Sequence, residues 1–253
     1  MKPKTQNEIA DMRISGKMLA TVLDHLKRNV SAGISTKEIA QIAASELAKL
    51  GGQAPFLYFG GGRNIPPFPD VICISVNDEV VHGIPGNYVL KDGDIVGLDF
   101  GVSYHKMITD GAITIGIGKI SAEASRLIRA TKQALIAGIS EVKADARVAQ
   151  ISSAIEQRLV KDRLGIVEEL AGHGVGHALH EEPWIPNFNT GHLGPRLKSN
   201  MTIAIEPMAT LGRKEVMWHR DGWTISTLDQ SLSAHFEHTV LVCENGFEIL
   251  TKI

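Results

Sequence analysis

The sequence predicts an α+β fold made of two half-domains with the same order of elements. Amphipathic helical patterns come first, strand-like apolar runs follow, and this order returns after residue 120. Residues 90–99 align without gaps on residues 197–206, and each segment is an apolar run that ends on a carboxylate. The segments 81–85 and 179–183 also match, in the same order. We therefore predict one domain, residues 1–253, with half-repeats of about 5–118 and 119–253.

Helical spacing of apolar residues, together with capping residues, predicts four helices. The first helix begins with the capping box Thr5-Gln6-Asn7-Glu8 and covers about residues 6–28. The second begins with the capping box Ser35-Thr36-Lys37-Glu38 and ends near Leu50. Two further helical patterns cover about residues 121–140 and 147–163.

Short apolar runs predict strands in both halves of the chain. The predicted strands are Val71–Val76, Asp94–Val102, Ala112–Ile117, Thr202–Ile205, Trp223–Ser226, Phe236–Cys243 and Phe247–Thr251. Residues 54–70 are rich in glycine, proline and aromatic side chains, so they are predicted to form a loop.

Composition excludes several classes of protein. With 43% hydrophobic and 21% charged residues, the chain is of ordinary globular type. The formal net charge of −2 provides no basic excess, so we expect no specific nucleic-acid partner. No apolar run approaches the ~20 residues that cross a bilayer, and no signal peptide is recognised. Cys73 and Cys243 lie in apolar runs and are expected to be buried, reduced thiols, which is typical of a cytoplasmic protein.

Five side chains with metal-ligand chemistry lie in strand-like or glycine-rich contexts: Asp99, Asp110, His173, Glu206 and Glu237. Carboxylates are rarely buried unless they are paired or bound to a cation, yet Asp99 and Glu206 end apolar strands. A hairpin turning at Tyr104-His105 would set Asp99 directly opposite Asp110, with Cβ atoms roughly 4.5–5.5 Å apart. Four carboxylates and one imidazole suit Mn, Fe, Co or Zn, and they exceed what one small ion needs, which indicates two ions.

The histidines of residues 173–180 leave more than one interpretation open. His173 and His177 have the spacing of a helical zinc motif, but the glycines between them disfavour a helix. In an extended strand these two would share a face, with His180 opposite unless a bend follows, so spacing does not choose among the three. Other histidines are expected to be exposed or structural: His25, His105, His177, His192, His219 and His238.

With these residues the sequence resembles the type I methionine aminopeptidases, of bacterial type and with the catalytic domain only, from about residue 5 to residue 252. The motifs that carry the resemblance are Val80-Val81-His82-Gly83-Ile84-Pro85, Asp92-Gly93-Asp94-Ile95-Val96, Gly172-His173-Gly174-Val175-Gly176, His180-Glu181-Glu182-Pro183, Ile205-Glu206-Pro207-Met208, Asp221-Gly222-Trp223-Thr224 and Glu237-His238-Thr239. That family has the pita-bread fold. The resemblance therefore implies two pseudo-symmetric halves and a central antiparallel sheet that enclose a dinuclear metal site.

The resemblance implies that the protein removes the initiator methionine from nascent proteins and peptides by means of a metal-activated hydroxide, and prefers a small second residue. The implied cofactors are two divalent ions, of Co, Mn, Fe(II) or Zn. Asp99 and Asp110 would hold one ion, Asp110 and Glu237 would bridge both, and His173 and Glu206 would complete the other site. Glu206 is also the implied proton shuttle.

The resemblance further implies residues that bind the substrate. His180 would donate to the carbonyl oxygen, and His82 would contact the scissile amide nitrogen. The implied methionine pocket is formed by Phe68, Cys73, Leu179 and Trp223. Phe68 stands where the family often has Tyr, and Leu179 replaces a common Phe. Residues 60–67 form a longer loop than in the best-known bacterial relatives, and the pattern around the second aspartate is altered to Met107-Ile108-Thr109-Asp110-Gly111.

Two alternatives remain open at this point. The first is a proline-directed aminopeptidase of the same fold, although such enzymes usually carry a sizeable N-terminal domain. The second is a non-catalytic pita-bread module that binds peptides or proteins, although such modules typically lose metal ligands. The expected partner is the N-terminal methionine of nascent polypeptides, which is consistent with a transient ribosome contact. We expect a monomer that does not associate with membranes.

Overall fold

The computed structural model describes residues 2–62 and 65–252, which form four α-helices and sixteen β-strands. The order helix, helix, strands occurs twice. The internal repeat of the two parts stays a prediction. The first part contains α1 Gln6–Asn29, α2 Thr36–Leu50, β1 Cys73–Val76, β2 Glu79–Val81, β3 Ile95–Asp99, β4 Val102–Tyr104, β5 Met107–Thr109 and β6 Ala112–Gly116. The second contains α3 Ala122–Ser140, α4 Val148–Lys161, β7 Gly165–Ile166, β8 Ala171–Gly174, β9 Glu181–Pro186, β10 Thr202–Ile205, β11 Met208–Thr210, β12 Val216–Trp218, β13 Ile225–Thr227, β14 Ser233–His235, β15 His238–Cys243 and β16 Gly246–Ile249.

The helices begin where the capping residues predict. The Thr5 hydroxyl accepts the Glu8 N–H, and the Glu8 carboxylate accepts the Thr5 N–H. Ser35 and Glu38 make the same reciprocal pair at the start of α2. These bonds satisfy backbone donors that the first turn of a helix leaves without partners. All four predicted helices are confirmed to within two residues at each end.

Two antiparallel sheets, each packed against one pair of helices, form the body of the molecule. The sheet β1-β3-β6 shares an apolar core with α1 and α2. The sheet β16-β15-β10-β8-β9 shares a second core with α3 and α4. The two sheets meet where the Glu237 N–H, just before β15, donates to the Ala112 carbonyl at the start of β6, over 2.9 Å. This junction brings strand ends from both halves together.

The predicted register of the β-hairpin was wrong. The chain turns at His105-Lys106, one residue later than predicted, and both residues have left-handed φ angles, 48° and 67°. Such angles are those of a two-residue type I′ turn, which more often contains Asn or Gly. The pairing continues into β3 and β6, so that Asp99 lies opposite Ala112 rather than Asp110. Because the shift is two residues, Asp99 and Asp110 still point to the same side.

Several smaller expectations were also decided by the structure. Both cysteines are free thiols; Cys73 is buried, but Cys243, at the end of β15, is only half-buried. The predicted loop at residues 54–70 has no helix or strand among its described residues, and Arg63 and Asn64 of its longer segment lie outside them. In residues 2–62 and 65–252, no helix is long and apolar enough to cross a membrane.

Candidate active site

All the side chains that the sequence analysis selected for the site line one cavity of about 440 Å³. They are Phe68, Cys73, His82, Asp99, Asp110, His173, Leu179, His180, Glu206, Trp223 and Glu237. The cavity lies where the two sheets meet. It has a polar wall of carboxylates and imidazoles and an apolar wall of aromatic and aliphatic side chains.

Strand pairing holds three carboxylates at fixed positions. Asp99 ends β3 opposite Ala112, and the backbone of Glu237 pairs with Ala112 from the other side, so one residue of β6 aligns both acids. The Asp110 N–H donates to the Thr239 hydroxyl over 2.8 Å, and that hydroxyl donates back to the Asp110 carbonyl over 2.7 Å. These backbone bonds leave the carboxylate side chains free to bind a ligand.

His173 and Glu206 lie on neighbouring strands of the second sheet. His173 on β8 pairs with Ala204 of β10, and Glu206 follows β10 directly. A Cβ atom at Gly172 would lie 2.5 Å from the Ala204 carbonyl oxygen, so glycine allows this close approach. The Nδ1 atom of His173 is 2.9 Å from the Gly174 carbonyl and donates to it. The Nε2 lone pair therefore faces Glu206 Oε1 at 3.3 Å, where a cation would relieve the repulsion.

Burial in one cavity shifts the pKa values of the carboxylic acids and of His173 toward their uncharged forms. Burial raises the pKa of Asp110 to about 8, with a further contribution from the Glu206 carboxylate, and burial raises the pKa of Glu206 to about 8. Burial and the neighbouring carboxylates hold the pKa values of Asp99 and Glu237 well above their usual range. Burial lowers the pKa of His173 to about 3. Without a cation the site therefore retains protons on its acids.

The donor atoms fit divalent metal ions. Among the described residues, three groups of potential ligand atoms each lie within 4.8 Å of one another. Asp99, Asp110 and Glu237 form the first, His173, Glu206 and Glu237 form the second, and Asp110, His173 and His180 form the third. Asp99 Oδ1 and Glu237 Oε1 are buried and have no hydrogen-bond partner among the described residues. Buried oxygens of this kind are normally satisfied by a hydrogen bond or a metal. Glu237 belongs to the first and second groups, which places it between two candidate ion positions.

Two more histidines face this cluster. His82 follows β2 with a left-handed φ of 58°, and burial lowers its pKa to about 4. His180 packs edge-to-face on His173, with ring centroids 4.4 Å apart. The chain bends at Gly176, whose φ is 142°, and this bend brings His180 to the same cavity as His173. His177 instead leaves the site, and its Nε2 atom lies 2.8 Å from Glu8.

The apolar wall is a small cluster of its own. Phe68, Cys73 and Leu179 are buried together, and Trp223 packs on Phe68 edge-to-face with centroids 5.4 Å apart. The Trp223 indole N–H donates to the Pro66 carbonyl over 2.8 Å, which fixes the ring against the preceding loop. Burial keeps the Cys73 thiol neutral by raising its pKa. The cluster forms an apolar pocket beside the carboxylates.

Sequence reasoning missed one residue of the site, His235. The residue is buried, and its Nε2 atom lies 3.4 Å from Glu206 Oε2 and 3.9 Å from Glu237 Oε2. Burial lowers its pKa to about 3. The available signal was its position two residues before Glu237 in a strand-like run, which places both side chains on one face.

A sequence model described as "Metallopeptidase family M24" matches residues 10–244. The chain belongs to this family. An M24 relative from Clostridium perfringens named "Methionine aminopeptidase" is 43% identical, with 99% of this chain and 98% of the relative covered. The crystal structure of methionine aminopeptidase from Thermotoga maritima superposes with a TM-score of 0.95 at 37% identity, and each chain is covered completely. Prolidase from Pyrococcus furiosus shares the fold, with a TM-score of 0.79 at 20% identity, 99% of this chain and 65% of that one covered.

These M24 matches confirm the predicted resemblance to methionine aminopeptidases and the predicted pita-bread class, α+β with antiparallel sheets. A metallopeptidase family implies the use of a divalent metal, in agreement with the buried carboxylates and imidazoles of the cavity. The likeness to prolidase, at 20% identity, concerns the fold alone.

The metal-stripped protein is expected to lose stability as pH rises from 6.5 to 8.5. Folded Asp110 and Glu206, with pKa values of about 8, keep protons that the unfolded chain has already released. Stability therefore falls through this window, by about 1 kcal/mol per pH unit for each retained proton. The buried histidines have lowered pKa values, so they reduce the free energy of unfolding only below about pH 6.5, where the unfolded chain binds protons that the folded chain does not. Thermal midpoints measured at the two pH values should fall by several degrees; an unchanged midpoint would contradict this.

Proposed function

We propose that this chain is a methionine aminopeptidase that removes the initiator methionine from nascent proteins and peptides. The observation that carries the proposal is the junction of the apolar pocket with a buried cluster of metal-ligating acids in one cavity. It is supported by full-length identity of 43% to a protein named methionine aminopeptidase. The enzyme cleaves after the first residue and prefers a small second residue.

Two divalent ions, of Co, Mn, Fe(II) or Zn, fit the ligand groups of the cavity. Asp99, Asp110 and Glu237 would hold one ion, and His173 and Glu206 would complete the other with the shared Glu237. Asp110 is the second shared ligand that we propose. When bound, such ions lower the pKa of a water molecule and polarise a substrate carbonyl.

The apolar pocket selects the first residue of the substrate. Phe68, Cys73, Leu179 and Trp223 offer an apolar surface to a methionine thioether, which makes favourable contacts with aromatic rings. The free, neutral α-amino group of the substrate would bind one of the metal ions through its nitrogen lone pair. A chain has only one such group, so cleavage is restricted to the first peptide bond.

Three side chains of the polar wall handle protons and the peptide group. Glu206 accepts the proton released by the attacking water and passes it to the leaving amine. His180 donates a hydrogen bond to the carbonyl oxygen, on which negative charge develops in the transition state. His82 contacts the amide nitrogen of the scissile bond. Burial lowers the pKa values of both histidines, so both are neutral donors at pH 7.

The deciding experiment is peptide hydrolysis by metal-stripped protein reloaded with Co, Mn, Fe(II) or Zn. The substrates are Met-Ala-Ser, Met-Lys-Ser, Ala-Ala-Ser and Ala-Pro-Ser. We expect release of methionine from Met-Ala-Ser, and only with metal. Cleavage of Ala-Pro-Ser instead would identify a proline-directed aminopeptidase. No cleavage of any peptide, with no ions bound, would identify a non-catalytic module.

We propose that the enzyme acts in the cytoplasm. Its free thiols suit the reducing cytoplasm. Nascent chains carry their initiator methionine as they leave the ribosome, so the contact with the ribosome is transient. We propose that the enzyme works there as a monomer.

Replacing Trp223 by Ala is expected to weaken selection of methionine without loss of metal. The change removes one wall of the pocket and the hydrogen bond to Pro66, so kcat/KM for Met-Ala-Ser should fall about 10–100-fold. Metal content should stay the same, because Trp223 belongs to none of the ligand groups. Trp218→Ala, an exposed tryptophan outside the cavity lining, is the control. Unchanged preference among first residues would exclude Trp223 from the pocket.

A further inference from the structure

His235 is a buried polar side chain that the proposed mechanism does not use. Its Nε2 atom is buried and makes no hydrogen bond to the described residues. The nearest acceptors are Glu206 Oε2 at 3.4 Å and Glu237 Oε2 at 3.9 Å. Burying an imidazole nitrogen beside two candidate metal ligands costs free energy unless the nitrogen makes a hydrogen bond to one of them.

The backbone of His235 is held firmly at this place. Its N–H donates to the Thr114 hydroxyl over 2.9 Å, and the same hydroxyl donates to the His235 carbonyl over 2.8 Å. His235 also pairs with Met208 across β14 and β11. Thr114 lies on β6, the strand whose first residue aligns Asp99 and Glu237. The ring is therefore positioned by the same strand as the metal ligands.

The carboxylate of Glu206 has an imidazole at each oxygen. Oε1 faces His173 Nε2, which carries no proton because Nδ1 donates to the Gly174 carbonyl. Oε2 faces His235 Nε2. Unlike His173, His235 is in none of the groups of potential ligand atoms among the described residues. The two imidazoles thus approach different oxygens of the same carboxylate, and only His173 belongs to a group of potential ligand atoms.

We propose that His235 is a positioning residue whose Nε2–H donates to Glu206 Oε2 and holds the carboxylate so that Oε1 faces the metal with His173. The inference rests on the metal site of the proposed function. Outer hydrogen bonds of this kind orient ligands, and their loss typically costs about 10–100-fold in metal affinity. His235 donates to a ligand and binds no ion itself, so its removal leaves the number of bound ions unchanged.

The test is the affinity and stoichiometry of Co²⁺ and Mn²⁺ in three variants, measured by titration against a competing chelator. His235→Leu removes the donor, and His235→Gln keeps an amide N–H at similar reach. His238→Leu is the matched control: it removes an imidazole from the same segment, but the Nδ1 atom of that ring lies 2.9 Å from the Thr251 hydroxyl instead of beside Glu206. His235→Asn, polar but too short to reach Glu206, replaces the leucine variant if that protein does not fold.

We expect His235→Leu to bind the same number of ions with about 10–100-fold weaker affinity. His235→Gln should recover most of that affinity, and His238→Leu should match the unchanged protein. Equal affinity in the leucine variant would overturn the proposal. Loss of one ion from both His235 variants would also overturn it, because His235 would then be a ligand. The titration uses no peptide, so a protein that binds metal but cleaves nothing contradicts the proposed function and not this inference.

Discussion

Replacing Glu237 by Ala is expected to abolish peptide hydrolysis and to leave less than one tightly bound ion per chain. Glu237 belongs to two of the three groups of ligand atoms in the cavity, so its loss weakens both proposed ion positions. A metal ion supplies several kcal/mol of transition-state stabilisation, which corresponds to about 10³-fold or more in rate. Asp110→Ala is expected to have the same effect, because we propose Asp110 as the second shared ligand. Metal content and turnover of Met-Ala-Ser are the measurements.

Glu248→Ala is the control for this loss. Glu248 is a partly exposed glutamate that pairs with Arg13, and exposed ion pairs of this kind contribute little to stability. A further comparison separates metal loss from misfolding. Glu237→Gln removes a buried carboxyl whose pKa is strongly raised, so the metal-free variant should be more stable than the metal-free wild type at pH 8. Retained turnover in Glu237→Ala or Asp110→Ala would overturn the assignment of a shared ligand.

Replacing His180 by Ala is expected to lower turnover by about 10²–10³-fold while metal uptake stays near normal. The expected size is that of losing one hydrogen-bond donor to a developing oxyanion. His180 packs on His173 and Phe59 at the polar wall, where a substrate carbonyl would lie. The rate constant for Met-Ala-Ser and the metal content should be measured together on the same preparation.

His177→Ala is the matched control for His180, because it lies three residues earlier in the same bend and contacts Glu8 outside the cavity. It should keep its activity. The structure also defines the competing interpretation, since His180 lies within 4.8 Å of Asp110 and His173 by their potential ligand atoms. A His180→Ala protein that loses metal would make His180 a ligand rather than a donor.

Local patterns predicted the parts of this fold that form locally. Capping boxes at Thr5 and Ser35 located the first two helices, because those hydrogen bonds join residues three apart. Strand β10 was predicted with its observed bounds, Thr202–Ile205. Strands β2, β7, β8, β9, β11, β12 and β14 were missed. All of them except β9 have four residues or fewer, and β9 contains two prolines, which disfavour a strand prediction. Partners that are distant in sequence stabilise these strands.

The selection of site residues depended on chemistry that sequence can show. Asp99 and Glu206 each follow an apolar strand, where an unpaired carboxylate is costly, and the structure places both in one cavity. The predicted direct pairing of Asp99 with Asp110 was wrong because the turn lies at His105-Lys106. Neither histidine nor lysine is typical of the left-handed backbone conformation of such a turn. His235 was missed because its side chain approaches Glu206, at 3.4 Å, only in the folded chain.

The sequence by itself determined the four helices, through periodicity and capping, and the family, through its motifs. It also predicted residues that the structure places in one cavity. Tertiary structure alone decided which atoms face each other: the register that sets Asp99 opposite Ala112, the bend that brings His180 beside His173, and the approach of His235 to Glu206. The physical reason is range. Helix and cap interactions join residues a few positions apart, whereas the site is held by backbone bonds between strands far apart in sequence.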